Sequence, residues 1–173
     1  RGASGFHEKV NRVHAVNETR PRLSGIIPAF DPDPEVLREL VDALCARGFD
    51  ELIVVDDGSS EASAPLFAAL DGIECVTVLR HAINLGKGAA LKTAFKWVLN
   101  RDGDRLTITL DADGQHAVED VASVAAAAAE HPGELILGCR VGTGPVPLRS
   151  RLGNALTRFV FRLVTGQAIR DTQ

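Results

Sequence analysis

Short apolar runs alternate with amphipathic segments along most of this chain. The runs are four or five residues long and end at polar or turn residues, which is typical of strands buried in a parallel sheet. They predict five strands, at residues 24–28, 52–55, 75–79, 106–110 and 134–137. We expect Pro28 to end the first strand, because proline donates no hydrogen bond to a neighbouring strand.

The segments between these runs have the periodicity of helices that bury one face. They predict helices from Pro34 to about residue 45 and at residues 65–70, 87–99, 118–130 and 148–164. Asp33 followed by proline is a strong helix start, and Gly48 a helix end. Strands that alternate with helices indicate right-handed β-α-β units. The sequence therefore predicts an α/β fold with a mostly parallel central sheet flanked by helices.

Composition limits the kind of protein without changing this picture. The 173 residues, 45% of them apolar, suit one domain with a real core, and the net charge of −4 argues against nucleic-acid binding. No apolar run reaches the 18 residues that a membrane span needs. We interpret residues 1–22 as an N-terminal extension or linker and residues 23–173 as the domain. The chain starts without methionine and stops without a terminal turn, so we expect it to be a piece of a longer protein, incomplete at its C-terminus.

Three cysteines, Cys45, Cys75 and Cys139, lie in or beside apolar segments and lack C-x-x-C spacing. We interpret them as reduced core thiols, which favours a reducing, cytoplasmic setting.

Acidic residues stand where several predicted strands end. Asp111 and Asp113 follow the fourth strand, and Asp56 and Asp57 end the second. In an extended strand, residues two apart point to the same side, so Asp111 and Asp113 can approach one ligand. Two carboxylates there need a positive partner, and a divalent cation shared with nucleotide phosphates is the natural candidate. Because ligands of parallel sheets bind at the carboxyl ends of the strands, this edge is the predicted site.

Common alternatives for such a site fail on the residues. A dinucleotide-binding loop needs glycines after the first strand, where Pro28, Ala29 and Phe30 stand instead. A P-loop needs a glycine where His81 lies and a serine or threonine where Gly88 lies. The five histidines show no zinc-ligand spacing with each other or with cysteine.

Four motifs in order resemble the family 2 glycosyltransferases of GT-A fold, closest to the branch of dolichol-phosphate mannose synthase and the bacterial polyprenyl-phosphate sugar synthases. They are Ile27-Pro28-Ala29-Phe30, Val55-Asp56-Asp57-Gly58-Ser59, Asn84-Leu85-Gly86-Lys87-Gly88-Ala89-Ala90 and Asp111-Ala112-Asp113-Gly114-Gln115-His116. The resemblance covers residues 23–173. It implies a GT-A (nucleotide-diphospho-sugar transferase) fold.

The resemblance also implies roles for single residues. Pro28, Ala29 and Phe30 would line the nucleoside pocket, and Asp57 would hydrogen-bond the base. Lys87 would face the diphosphate, which agrees with its place at a helix start. Asp111 would contact the ribose or the metal, and Asp113 with Gln115 would complete the shell of a catalytic Mg²⁺ or Mn²⁺. His116 would either orient that shell or lie at the surface.

Two departures from the family pattern lie near the first motif. Phe30 stands where the family usually has tyrosine, and Asp31-Pro32-Asp33 replaces a frequent glutamate. Asp31 or Asp33 would then substitute for that glutamate only in part.

The C-terminal part is implied to serve the diphosphate and the acceptor. Gly138-Cys139-Arg140 resembles the family's Gly-Ser-Arg, which makes Arg140 a diphosphate ligand, with Arg149 and Arg151 as further phosphate ligands. Asp171 resembles the first residue of the acceptor loop and is the candidate catalytic carboxylate there. The predicted helix at 148–164 is basic and amphipathic, which fits either a membrane surface or ordinary packing on the sheet.

The function implied is an inverting, metal-dependent transfer of a sugar from a UDP- or GDP-sugar to an acceptor, most simply a polyprenyl or dolichyl phosphate. A hydroxyl acceptor and a non-catalytic nucleotide-sugar binding module stay open as alternatives. A nucleotidyltransferase is disfavoured, because it should carry a glycine-rich basic loop after its first strand. We expect a cytoplasmic protein, with attachment to the cytoplasmic face of the membrane left open.

Overall fold

A computed structural model of the protein describes residues 21–101, 105–114 and 118–138. Two compact units divide the chain, residues 1–134 and 135–173. The first contains every described helix and strand: β1 (Arg22–Ala29), α1 (Pro34–Ala46), β2 (Glu51–Asp56), α2 (Ala64–Asp71), β3 (Val76–Arg80), α3 (Lys87–Leu99), β4 (Arg105–Thr109) and α4 (Val118–Glu130), with a 3₁₀ turn at Glu61–Ser63 before α2. No described helix is both long enough and apolar enough to cross a bilayer.

The four described strands form one parallel sheet in the order β3-β2-β1-β4. The α/β class and the parallel sheet predicted from the sequence are confirmed. The order reverses between β1 and β4, since the chain moves outward from β1 to β3 and then returns to the other side of β1. In such sheets a crevice opens at the carboxyl ends of the two strands that flank this reversal.

The sheet is covered on both faces, which explains the continuous apolar run of β2. Leu52 and Val54 point into a core formed with α1, α2 and α4, while Ile53 and Val55 point to the opposite face. That face is covered by α3 through a stripe of small side chains: Ala90, Ala94 and Val98. Small residues let the helix backbone approach the sheet closely, which keeps the start of α3 near the carboxyl edge.

A polar cluster at the opposite edge holds the far end of α3. Glu51, the first residue of β2, accepts hydrogen bonds from Trp97 Nε1 at 3.1 Å and from Arg105 at 3.0 Å. Arg105 begins β4 and is nearly buried, and Arg101 lies over the Trp97 ring at 4.6 Å. These contacts join α3 to both strands, so its axis is anchored at the end away from the site.

The predicted boundaries of α1 are confirmed. The Asp33 carboxylate accepts from the amides of Glu35 at 3.0 Å and Val36 at 3.2 Å, Pro34 is the first helical residue, and Gly48 adopts a φ of 82° just after the helix.

Pro28 does not end β1, which runs to Ala29. The Ile26 carbonyl accepts from Leu110 of the β4 side, and Pro28, two residues on, has its nitrogen on that same side. The β1–β4 pairing ends at Ile26 with Thr109. The missing N–H therefore costs no sheet hydrogen bond.

Two further predictions were wrong. Residues 134–137 form no strand, and Leu135 and Leu137 are 83% and 53% exposed, so the three-residue apolar run after Glu134 was too short a signal without a neighbouring strand among the described residues. Cys45 and Cys75 are not free thiols but form a disulfide, because the end of α1 and the residue before β3 meet with their Cα atoms 6.7 Å apart. Cys139 lies outside the described residues.

The disulfide closes a loop across 30 residues, so its removal should destabilise the fold. In the chain-entropy account, we expect the variant with Cys45→Ala and Cys75→Ala to lose about 3.6 kcal/mol of unfolding free energy. Urea unfolding of this variant, of Cys139→Ala as the control and of the parent with and without dithiothreitol measures the effect. Three titratable thiols in the untreated protein, with no response to dithiothreitol, would contradict the disulfide.

Candidate functional site

A cleft of about 560 Å³ opens at the carboxyl edge of the sheet, beside the reversal between β1 and β4. It is bounded by the segments that follow β1, β2 and β4 and by the start of α3. The residues that line it are Pro28, Ala29, Phe30, Pro32, Asp33, Val36, Asp57, Asn84, Gly86, Lys87, Asp111, Ala112 and Asp113. All seven nucleotide-site candidates that fall in the described residues are thus brought together in one cleft: Pro28, Ala29, Phe30, Asp57, Lys87, Asp111 and Asp113.

The end of β1 forms an apolar wall. Ala29 is buried, whereas Phe30 is 52% exposed. An exposed aromatic ring in a cleft offers a flat surface on which a base can stack. The lack of a hydroxyl on this ring makes it purely apolar, unlike the tyrosine that the family resemblance predicts.

Asp57 is a buried carboxylate held by three N–H groups. Its Oδ1 lies 2.7 Å from His81 Nδ1 and accepts from the Leu85 amide at 3.0 Å, and its Oδ2 accepts from the Gly86 amide at 2.7 Å. Burial alone would raise the pKa of Asp57, but the hydrogen bonds from His81 and from the two amides outweigh it and lower the pKa. Asp57 is therefore an ionised acceptor at the edge of the cleft.

The neighbouring carboxylate, Asp56, is used differently. It is fully buried, accepts from the Ser59 amide at 2.8 Å and lies 2.8 Å from Arg80 Nε. The two acids that end β2 are thus both compensated inside the protein, Asp56 by a cation and Asp57 by N–H groups. Only Asp57 lines the cleft.

Gly58 lets the segment at residues 81–86 cross directly over the end of β2. Its φ is 73°, and a Cβ atom there would lie 2.2 Å from the Ile83 carbonyl carbon and 2.4 Å from the Asn84 nitrogen. Backbone atoms cannot be displaced as a side-chain tip can. The glycine of the Asp-Asp-Gly motif is therefore required by this crossing, which brings the Leu85 and Gly86 amides to Asp57.

His81 is the site residue that sequence reasoning missed. It was considered only as a zinc ligand or a P-loop position, yet its Nδ1 contacts Asp57 and its Nε2 lies 2.8 Å from Thr93 Oγ1 on α3. The ring is 11% exposed. The available signal was its position: it directly follows β3, at the same edge of the sheet as the predicted acids.

Lys87 begins α3 and pairs with Asp111. The Nζ atom lies 2.5 Å from Asp111 Oδ1, and the two side chains are 61% and 43% exposed. Such an exposed pair contributes little to stability. It does place an exposed cation next to the first amides of a helix, an arrangement that suits a phosphate group.

Asp111 and Asp113 follow β4 in a turn rather than in an extended strand, because β4 ends at Thr109. Alternation along a strand, predicted from the sequence, therefore does not set their direction, although both line the cleft. The turn is held against α1: Gly114 has a φ of 67°, and a Cβ atom there would lie 2.6 Å from Val36 Cγ1.

Two carboxylates that border one cleft fit a hard divalent cation whose remaining ligands are water and phosphate oxygens, as Mg²⁺ prefers. Within residues 21–101, 105–114 and 118–138, no group of three histidine, cysteine or acidic side chains forms a complete protein cage. The third predicted ligand, Gln115, lies outside the described residues. Asp111 and Asp113 therefore suit a cation that is shared with a bound ligand better than a cation held by protein side chains alone.

Asp31 and Asp33 are engaged by the protein. Asp31, at a φ of 41°, accepts from the Ser60 hydroxyl and amide, both at 2.8 Å, and from the Ser63 hydroxyl at 3.1 Å. The Ser60 bonds, with the bond from Ser63, lower the pKa of Asp31. Asp33 caps α1. Of the two, only Asp33 borders the cleft.

Six predicted residues lie outside the described residues. They are Gln115, His116, Arg140, Arg149, Arg151 and Asp171, together with the predicted helix at 148–164.

The parallel sheet flanked by helices, with acids at the strand ends, is consistent with the GT-A fold. Comparison with protein families agrees: the model "Glycosyl transferase family 2" matches residues 24–171. The chain belongs to this family.

The chain is also similar to curated proteins, two of which are named as transferases. The chain is 28% identical over 165 residues to the UDP-N-acetylglucosamine–dolichyl-phosphate N-acetylglucosaminyltransferase of Methanococcus voltae, covering 86% of this chain and 65% of the relative. It is 34% identical over 160 residues to the undecaprenyl-phosphate 4-deoxy-4-formamido-L-arabinose transferase of Klebsiella pneumoniae, covering 87% and 46%. An uncharacterised protein of Methanocaldococcus jannaschii is 32% identical over 152 residues, covering 86% and 60%. The chain thus spans about half to two thirds of the length of these relatives.

Gly58→Ala should disrupt the fold around the site. The left-handed backbone costs about 1–2 kcal/mol for a residue with a Cβ, and the backbone collision adds to it. Gly48→Ala is the matched control, because Gly48 also has a positive φ (82°), lies after α1 away from the cleft, and has nothing within 4 Å of an added Cβ. Denaturant unfolding should show a clearly larger loss for Gly58→Ala; equal losses would contradict the crossing of the two segments.

The lowered pKa of Asp57 predicts loss of stability in acid. Its contribution is fully present above the ordinary value of 3.8 and disappears as the pH falls through the lower pKa of the folded state. Asp31 and Glu119, whose pKa values are also lowered, act in the same direction. Unfolding free energy measured from pH 6 to pH 2.5 should fall less steeply for Asp57→Asn than for the parent, whereas parallel curves would contradict this role of Asp57.

Proposed function

We propose that this protein transfers a sugar, with inversion at the anomeric carbon, from a UDP- or GDP-sugar to a polyprenyl or dolichyl phosphate. One observation carries the proposal: an ionised acceptor, a helix-start cation and two strand-end carboxylates surround one cleft in a chain of glycosyl transferase family 2. The named relatives support the acceptor class, since their names specify dolichyl and undecaprenyl phosphate.

Donor binding divides among three parts of the cleft. The base stacks on Phe30 against the wall of Pro28 and Ala29 and donates a ring N–H to Asp57. Lys87 exchanges its contact with Asp111 for the diphosphate, with the first amides of α3 beside it. Arg140, Arg149 and Arg151 are proposed as further phosphate ligands, which matches the preference of guanidinium groups for phosphate oxygens.

Asp111 and Asp113 would hold Mg²⁺ or Mn²⁺, with Gln115 as a further ligand. When bound, the cation supplies neutralisation of the charge that develops on the departing diphosphate. The protein's own cations, Lys87 and the proposed arginines, act on the same charge, so leaving-group departure relies on electrostatic stabilisation.

The acceptor explains why no strong base is needed in the described cleft. An oxygen of a lipid phosphate is already anionic, so it can attack the anomeric carbon directly. As its bond to that carbon forms, the bond from the carbon to the diphosphate oxygen breaks. The nucleoside diphosphate leaves with the electron pair. A hydroxyl acceptor would instead have to lose a proton, for which Asp171 is the candidate base.

The acceptor class also places the reaction at a membrane. A polyprenyl phosphate is anchored in the bilayer, so we propose peripheral attachment at the membrane surface, with the basic helix predicted at 148–164 facing anionic lipid.

Turnover tests the reaction. The protein is incubated with labelled UDP- and GDP-sugars, Mn²⁺ and polyprenyl phosphate, and in parallel with hydroxyl acceptors. A lipid-phosphate-linked sugar of inverted configuration supports the proposal. Transfer to a hydroxyl alone would replace it, and donor binding without any product would indicate a binding module.

Asp113→Ala tests the cation site. Loss of even an outer partner of a metal ligand costs about 10–100-fold in affinity, so removal of a direct ligand should weaken Mn²⁺-dependent binding of UDP or GDP at least about tenfold. Calorimetry with and without Mn²⁺ measures this. Glu39→Gln is the control, because Glu39 is an exposed carboxylate of α1 outside the cleft. Unchanged binding by Asp113→Ala with Mn²⁺ present would remove Asp113 from the site.

A further inference from the structure

His81 makes two side-chain contacts, one from each ring nitrogen. Nδ1 lies 2.7 Å from Asp57 Oδ1 and Nε2 lies 2.8 Å from Thr93 Oγ1. The ring is 11% exposed and Asp57 is buried, so water competes little for either contact. A chain of hydrogen bonds therefore runs from the edge of the cleft to the middle of α3.

This series of hydrogen bonds fixes the Asp57 side chain, which the Leu85 and Gly86 amides alone would leave partly free to rotate. The Leu85 and Gly86 amides fix the distance of the Asp57 carboxylate from residues 85 and 86, one bond to each oxygen. His81 adds a third donor from another direction, and Thr93 prevents the imidazole from rotating. Thr93 belongs to α3, whose buried face is packed on the sheet through Ala90, Ala94 and Val98. The anchor is thus a rigid element rather than a loop.

The direction of the carboxylate decides what Asp57 can recognise. A carboxylate has about four lone-pair positions. Three are used by His81, Leu85 and Gly86, which leaves one, on Oδ2, for a ligand in the cleft. Because the oxygens are already engaged by donors, Asp57 stays ionised and can only accept.

We infer that His81 is a positioning residue for donor recognition: held by Thr93, it fixes the Asp57 carboxylate so that its remaining lone pair meets a ring N–H of the base. This inference rests on the proposed function, since it requires that a nucleotide binds in the cleft. It also restricts the donor to bases with a ring N–H on the edge that faces Asp57, as in uracil and guanine. Cytosine and adenine present an unprotonated ring nitrogen there and would meet the acceptor with an acceptor.

Two substitutions separate the contacts of the ring. In His81→Asn the amide nitrogen is attached to Cγ, as Nδ1 is, so it can donate to Asp57 but cannot reach Thr93. In His81→Gln the amide lies one bond further, where Nε2 was, so it can reach Thr93 but not Asp57. His131→Gln is the matched control, because His131 is exposed in the turn after α4.

Calorimetric titration with UDP, GDP, CDP and inorganic pyrophosphate, each with Mn²⁺, tests the inference on the full chain. We expect the parent to bind UDP or GDP at least about tenfold more tightly than CDP, since an acceptor facing an acceptor loses a hydrogen bond to a charged group. His81→Gln should weaken UDP or GDP binding about tenfold, His81→Asn should retain most of it, and neither should change pyrophosphate binding by more than about twofold.

The outcomes separate this inference from the proposed function. A parent that binds none of the nucleotides would overturn the proposed function. A parent that binds UDP or GDP, with both His81 variants unchanged, would overturn the role of His81 alone. Equal losses of nucleotide and pyrophosphate binding would also overturn it, because they would show that His81 only supports the segment that carries Lys87. Melting temperatures of each variant identify unfolding. If His81→Gln does not fold, Thr93→Val keeps the test, because it removes the partner of Nε2 and should likewise weaken UDP or GDP binding without changing pyrophosphate binding.

Discussion

The Asp57 carboxylate is the interaction on which the arrangement of the site depends. It directly follows β2, is buried, and accepts hydrogen bonds from N–H groups of His81, Leu85 and Gly86. Those bonds hold the segment between β3 and α3 across Gly58, and this segment sets where α3 begins. Lys87 is the first residue of that helix, so the position of its ammonium group follows from a carboxylate thirty residues earlier in the chain. A buried charge is costly unless it is compensated. Here the N–H groups that compensate the Asp57 charge belong to the same segment that shapes the site.

The cleft is arranged as three chemically distinct parts on one sheet edge. An apolar wall and exposed ring come from β1, a fixed acceptor from β2, and carboxylates from the turn after β4, with the helix-start cation between them. The sheet order places β1 between β2 and β4, so the acceptor, the apolar wall and the carboxylates follow one another in that order along the edge. Such a division suits a ligand with a base, a diphosphate and a sugar. Within the cleft, the Lys87–Asp111 pair balances one of these carboxylates with the helix-start cation.

Local sequence patterns predicted the structure correctly wherever a residue type has a single structural role. Asp33 before Pro34 predicted a helix start because the carboxylate can satisfy free amides and the proline has no amide to satisfy, and Gly48 predicted its end. The apolar run of β2 predicted burial on both faces. Patterns failed where the neighbours of a segment decided the result. Residues 134–137 look like a strand but have no partner strand in the described sheet, and Cys45 and Cys75 look like core thiols until two distant chain segments bring them together.

The sequence by itself determined the α/β class, the parallel sheet, the edge at which the site lies, and the resemblance to glycosyl transferase family 2. These depend on periodicity, on residue types at strand ends and on motif order, which are properties of the chain read in one direction. Only the tertiary structure decided which partners the charged groups take. Asp57 is held by His81 and two amides, Asp31 by Ser60 and Ser63, and Asp111 by Lys87. Each pair joins residues more than twenty positions apart, and their contact follows from the crossing of strands and loops at one edge of the sheet, which no local pattern encodes.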